Sequence, residues 1–202
     1  MKKFAAAISL AIVGGAAGAS GLTYQTGSGF QSNLADSAAY ESAVTALVGA
    51  PVSLSSFDNV NFSLSNSALE ATIKFDVTAP TTFNFRAGVD LGGGGTMVLD
   101  GTAMDTHGND MWWAGSYSDS SQYFAGSATL GVGVHTLNIY GFEGCCSGNM
   151  QAQFSTDGGQ TYTSFSSTDA LPAVPEAQSF AMLLAGLGLV ATVARRRSNK
   201  QA

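Results

Sequence analysis

The residues able to do chemistry are few and lie close together. Cys145 and Cys146 are the only cysteines, and they are adjacent. The densest polar stretch is Asp105-Thr106-His107-Gly108-Asn109-Asp110. Asp105, Asn109 and Asp110 could hold Ca²⁺, a hard ion that takes oxygen ligands. The stretch lacks the Glu-terminated spacing of a helix-flanked calcium loop. Trp112 and Trp113 follow it directly. An exposed indole can stack on a sugar ring, whereas a pair at a sheet edge would pack inward. His107 and His135 are the only histidines, and no Gly-x-Ser-x-Gly elbow accompanies them. His135 follows apolar Val134 in a run of strand character and reads as a satisfied or surface histidine. No catalytic residue is assigned, and the chain is expected not to be an enzyme.

The cysteine pair has three candidate states. Neighbouring Cα atoms across a trans peptide are about 3.8 Å apart, whereas ordinary disulfides span roughly 4.4–6.8 Å. A vicinal disulfide would therefore close a strained ring, making a rigid turn of Glu143-Gly144-Cys145-Cys146-Ser147-Gly148. That ring is the leading reading. Bridges between molecules and free thiols are the alternatives. No nearby histidine completes a metal set.

The elements that must position these residues are strands. Leu69, Ala71, Ile73, Phe75 and Val77 alternate with polar residues, as do Phe83, Phe85, Ala87 and Val89, and also Val60, Phe62 and Leu64. Strict alternation means one face buried and one face wet. Further strands are expected at 96–99, 123–130, 134–142, 150–154 and 162–165. Residues 20–33 read as loop or a first strand. A weak helical pattern covers Leu34 to Val48, with Asp36 and Ser37 placed to cap it and Gly49-Ala50-Pro51 to end it. Short strands with Gly-rich turns and no crossover helices predict a mainly β protein, an antiparallel β-sandwich with one short N-terminal helix. Asp157-Gly158 supplies a tight hairpin turn. The stretch Ser155 to Tyr162 resembles the Asp-box hairpin of sialidase propellers, but it occurs once, and a propeller needs several blades.

Both ends differ from this body. Lys2 and Lys3 precede an apolar, Ala/Gly-rich run that closes on Ala17-Gly18-Ala19. This predicts a secretory signal peptide at residues 1–19, handled by the Sec translocon. Residues 20–170 form the exported body and 171–202 a tail. In the tail, 177–194 is uncharged and long enough, at ~27 Å as a helix, to cross a bilayer core. Arg195, Arg196 and Arg197 then act as a stop, held in the cytoplasm with the rest of 195–202. Between Ser20 and Glu176 lie two basic and fourteen acidic residues, a net charge of −12. Nucleic-acid binding is excluded by that balance, since cations must replace counterions at phosphates.

The tail resembles the PEP-CTERM sorting signal. The resemblance rests on Val174-Pro175-Glu176, on Gly186-Leu187-Gly188-Leu189 within the apolar run, and on Arg195 to Arg197; Ala177 stands where the motif has a second proline. It implies recognition by an exosortase, cleavage near Pro175-Glu176, and transient anchoring followed by a surface or extracellular location. Such proteins occur in Gram-negative bacteria that make exopolysaccharide, which implies a biofilm or matrix setting. Cys145-Cys146-Ser147-Gly148 is similar to the Cys-Cys-x-Gly mark of one subfamily of these proteins. The stretch from Phe83 to Phe154 resembles the sugar-associated β-sandwich domain of anthrax protective antigen, through Met97 to Gly101, Trp113-Ala114-Gly115, Gly133 to Leu137 and Tyr140 to Gly144. In that family a strand-end Asp-Asp pair binds Ca²⁺ beside a glycan; here Asp90 is single, followed by Leu91 and four glycines. The expected function is a non-enzymatic, exosortase-sorted envelope or matrix protein associated with exopolysaccharide. The alternative is a Ca²⁺-dependent lectin or glycan-active protein.

Overall fold

The structure, a computed structural model, describes residues 21–167. The expected signal peptide, the sorting motif and the transmembrane helix lie outside the described residues. Among those described, no helix is long and apolar enough to cross a membrane.

Two antiparallel sheets stack face to face. The larger has the order β2 (Val52–Ser53), β1 (Gly21–Ser28), β3 (Ser67–Val77), β10 (Gly133–Glu143), β6 (Gly95–Leu99), β7 (Thr102–His107). The smaller runs β12 (Thr163–Ser164), β11 (Gln151–Ser155), β4 (Thr81–Gly88), β9 (Tyr123–Leu130). A two-residue pair, β5 (Asp90–Leu91) with β8 (Met111–Trp112), sits beside them. The predicted β-sandwich is therefore present.

Alternation explains the stacking. Leu69, Ala71, Ile73 and Phe75 of β3 and Leu137 and Ile139 of β10 face Phe83, Phe85 and Ala87 of β4, Phe124 of β9 and Phe154 of β11 in one core. A pile of rings fills its centre, with Phe75 5.8 Å from Phe83 and from Phe165, centroid to centroid. Rings at this spacing add stability beyond the area they bury. The helix α1 (Ser37–Thr45) covers the outer face of the large sheet, where Tyr40 and Val44 pack on Ala68, Val98, Tyr140 and Phe142. Asp36 caps it, accepting from the Ala39 N–H at 2.9 Å. The helix is shorter than the 34–48 pattern.

Three expectations need correction. The Val60-Phe62-Leu64 run is not a strand: Asn59, Ser63 and Asn66 have left-handed φ values, and only an isolated bridge joins Val60 to Met150. Asp105 to His107 of the polar 105–110 stretch, where no strand was expected, lie in strand β7. Asp100 (φ 49°) and Gly101 (φ 76°) form a two-residue turn that folds β7 back on β6. The segment after Asp157 is not a tight turn but a loop from Ser155 to Thr163, with Gly158 and Gly159 at positive φ.

Candidate functional site

Asp90, Glu143 and the cysteine loop gather where β3 begins and β10 ends. Gly92 to Gly95 form a close-packed strap there. A Cβ on Gly93 would lie 2.2 Å from the Gln31 carbonyl, and one on Gly95 2.3 Å from the Tyr140 carbonyl. Gly93, Gly94 and Gly95 are thus required by packing. Tyr40 donates its hydroxyl to the Gly93 carbonyl at 2.8 Å, tying the strap to α1.

Two buried carboxylates organise the strap and the cysteine loop. Glu143 accepts from the Gly92 N–H at 2.7 Å and the Cys145 N–H at 2.8 Å. Asp90 accepts from the Gly148 N–H. Burial raises the pKa of both, and neighbouring Asp110 adds to each rise, while the N–H donors oppose it. Sequence reasoning noted Asp90 and passed over Glu143; an acid ending a long apolar strand was the available signal.

The vicinal disulfide is not formed: Cys145 and Cys146 are exposed, free thiols. Cys146 takes a left-handed φ of 68°, and the loop is held by Asp90 and Glu143 without a covalent link. A thiol contact with Cys146 raises the Cys145 pKa, helped by the charge of Glu143 and Asp90, which disfavours the nucleophilic thiolate.

The proposed oxygen set of Asp105, Asn109 and Asp110 does not form a unit. Asp105 lies in β7, where it accepts from the Thr106 N–H and the Ala125 N–H, both at 2.9 Å, and meets His107 at 3.3 Å. It thereby joins the edge strands of the two sheets. Asn109 donates to the Asp110 carbonyl at 3.0 Å. Among the described residues no group of three or more His, Cys, Asp or Glu is arranged for a metal ion.

The tryptophans part company. In β8, Trp112 pairs with Asp90, and alternation sends the two indoles to opposite sides. Trp113 is 5 % exposed and lies over Gly88, while Trp112 is 66 % exposed. Trp112 lines a groove of about 390 Å³ together with Asp110, Ala114, Ser116, Ser118, Asp119 and Gln122. Gln122 accepts from the Trp112 N–H, and Asp119 caps the Ser120–Gln122 turn by accepting from the Ser121 N–H at 3.0 Å. The groove combines carboxylate, hydroxyl and amide groups with one large apolar plate.

Residues 173–198 match the family model of the PEP-CTERM protein-sorting motif. The chain carries a PEP-CTERM sorting tail. The motif implies an exosortase-sorted protein that is exported, transiently anchored through its C-terminal region, and finally extracellular. No curated protein matches it in sequence. Its fold is similar to the PA14 domain of the MpAFP antifreeze protein, at 16 % identity and a TM-score of 0.51, over 83 % of this chain and 94 % of that one. It is also similar to a subtype-switched epithelial adhesin A domain from Candida glabrata, solved with β-lactose, at 7 % identity and a TM-score of 0.51, over 76 % and 91 % of the two chains. At these identities the likeness is one of fold.

Proposed function

We propose that the extracellular body is a non-enzymatic carbohydrate-binding domain that works in the exopolysaccharide surroundings to which the tail delivers it. The observation that carries this is the exposure of Trp112 at the rim of that groove. A large apolar plate kept in water, beside hydroxyl, amide and carboxylate groups, suits the C–H face of a sugar with hydroxyls at its edge. The β-lactose held by an adhesin domain of similar fold supports the same reading. Exosortase cleavage near Pro175-Glu176 then sets where the domain works.

The purified protein, applied to a glycan array, is expected to bind a subset of neutral glycans. Trp112→Ala should weaken that binding tenfold or more, the equivalent of about 1.4 kcal/mol, and EDTA should not. Loss of binding with EDTA would favour the calcium-dependent lectin. Hydrolysis of any polysaccharide by the protein would overturn the non-enzymatic reading, and binding unaffected by Trp112→Ala would overturn the groove. Intact mass from cells with and without exosortase tests processing: a tail retained in both would refute cleavage.

A further inference from the structure

A second constellation lies on the outer face of the small sheet, beside the Trp112 groove, whose Ser116 and Ser118 flank its Tyr117. There Thr82, Asn84 and Arg86 of β4 alternate with the buried Phe83, Phe85 and Ala87. Register sets Arg86 opposite Gln153 of β11 on one side and Ala125 of β9 on the other. Gln153 accepts from the Arg86 Nε at 2.7 Å. Two rings close over the guanidinium, one on each face: its carbon lies 3.8 Å from the Tyr117 centroid and 3.7 Å from that of Tyr162. Both contacts are well inside cation–π range.

Each ring is itself held. Tyr117 donates to the Gln151 side-chain oxygen at 3.1 Å and packs on Trp113 at 5.4 Å and Tyr123 at 5.1 Å. Tyr162 lies within the Ser155–Thr163 loop, which Asp157 ties together by accepting from the Thr161 hydroxyl and N–H, the Ser155 hydroxyl and the Gln160 N–H. Those hydrogen bonds hold the Asp157 carboxyl well below the usual range.

Among the described residues the guanidinium has no acidic partner. Arg86 and Lys74 are the only cations between Ser20 and Glu176, against fourteen acids. Yet the ion pairs among the described residues involve only histidines. Asp58, on the same face, is taken by Gln151 and Ser164. Among the described residues, Nε is the Arg86 nitrogen with a hydrogen-bond partner, and the half-buried side chain has no buried unpartnered nitrogen. A planar fork is thus clamped between two rings with its terminal N–H donors free. This geometry matches a carboxylate taken edge-on, through two parallel N–H···O bonds.

We propose that the Arg86 clamp is a binding site for a sugar carboxylate, such as a uronic acid, carried on an extracellular polysaccharide. The surroundings fit a sugar: Thr82, Asn84, Ser127, Thr129 and Gln153 are uncharged hydrogen-bonding groups on the same outer face. The net charge of −12 disfavours a densely charged polyanion and selects a polymer with scattered carboxylates. The site makes no use of Trp112, whose groove carries the carboxylates of Asp110 and Asp119 and no cation to hold an acidic sugar.

The test is affinity of the purified protein for galacturonan in partly and in fully methyl-esterified form, with monomeric galacturonate as competitor. The expected result is binding to the partly esterified polymer and none to the fully esterified one. Arg86→Gln should weaken that binding roughly tenfold or more. Arg86→Lys should weaken it as well, because a point charge lacks the fork. Tyr162→Ala, on an exposed loop, keeps the cation but opens the clamp and should also weaken it, with the fold checked by thermal unfolding. Trp112→Ala should leave the preference for free carboxylates unchanged. Competition by the monomer at equal carboxylate concentration would identify a free uronic acid as sufficient, and its failure would identify the polymer as the source. Indifference to esterification, or undiminished binding by folded Arg86→Gln, would overturn the proposal.

Discussion

Gly88 ends β4 directly beneath the buried Trp113, and Gly88→Ala tests how the tryptophan pair is divided. A methyl group there would stand 2.3 Å from Cε2 and 2.4 Å from Cδ2 and Nε1 of the indole. Real carbon contacts do not reach such distances, so the ring must move. Its backbone cannot follow, because the Trp113 N–H is bonded to the Val89 carbonyl at 3.1 Å. Overpacking of this kind costs about 1–3 kcal/mol, and the strand gains about 0.5–1 kcal/mol on replacing glycine. The net expectation is a loss of about 1–2 kcal/mol, or a fall in Tm of roughly 2–8 °C for a domain of this size. Urea unfolding followed by tryptophan fluorescence measures it. Trp113→Leu removes the obstacle, so the alanine should cost nothing or stabilise in that background, giving a coupling of about 1 kcal/mol or more. Equal cost of Gly88→Ala in both backgrounds, or stability within about 0.5 kcal/mol of the parent, would refute the reasoning.

Three further expectations concern charge. Burial lowers the His135 pKa, but hydrogen bonds to Asp100 at 2.7 Å and to the Gly131 carbonyl at 2.9 Å, with the charges of Asp100 and Asp76, outweigh it and the pKa is raised. Its stabilisation is therefore complete below the ordinary histidine value of about 6.5 and lost as pH rises through the folded pKa; His135→Asn should flatten that slope in urea unfolding. Asp90 and Glu143 also have raised pKa values, so the folded state holds their protons more tightly, and stability should fall as pH rises from about 4 through their folded pKa values. Asp90→Asn with Glu143→Gln should remove that fall in the same measurement. Asp105→Ala strands the Ala125 N–H and should cost about 1–2 kcal/mol, with the same loss of Tm in Ca²⁺ and in EDTA; a loss seen only with Ca²⁺ would restore the metal role.

Legibility in the sequence followed one-sided burial. β3, β4 and β9 alternate because one face lies in the main core, β10 is covered on its second face by α1 over its last residues, and the bounds of all four were readable to within two residues. β7 was hidden because it is an edge strand with most of both faces wet, and a bulge at Met97/Val98 breaks its register. The Val60 to Leu64 run misled for the opposite reason: its apolar residues do reach the core, but through a backbone broken by left-handed residues. At the site, Trp112 and Trp113 are indistinguishable as a dipeptide. Which one is buried depends on a glycine twenty-five positions earlier. The Arg86 clamp was illegible, since Tyr117, Arg86 and Tyr162 meet only through strand register and two separate loops.

The placement of the chain ends bears on how sorting and binding relate. Register sets Gly21 against Lys74 and Ser28 against Ser67, with Glu143 against Ser67 as well. Gly21 therefore lies toward one end of the large sheet, and the strap that Glu143 holds lies at the other. Along β1 that separation is about 24 Å at the usual rise per residue. Ser167, where the described chain leads toward the tail, lines the same groove as Gly21, and its N–H donates to the Ser55 carbonyl at 2.8 Å. The chain thus enters and leaves beside one point, while Asp90, Gly92 and the Trp112 pair stand at the far end. The described chain runs toward the tail from the end opposite the Trp112 groove, so cleavage is expected to change where the protein is and not whether it binds. Pro175→Ala with Glu176→Ala, which should block processing, is expected to leave glycan binding of the membrane-held protein within about twofold of the released form, a difference of only ~0.4 kcal/mol. Binding confined to the released form, measured on spheroplasts against the purified protein, would show that the groove is covered while the tail is attached.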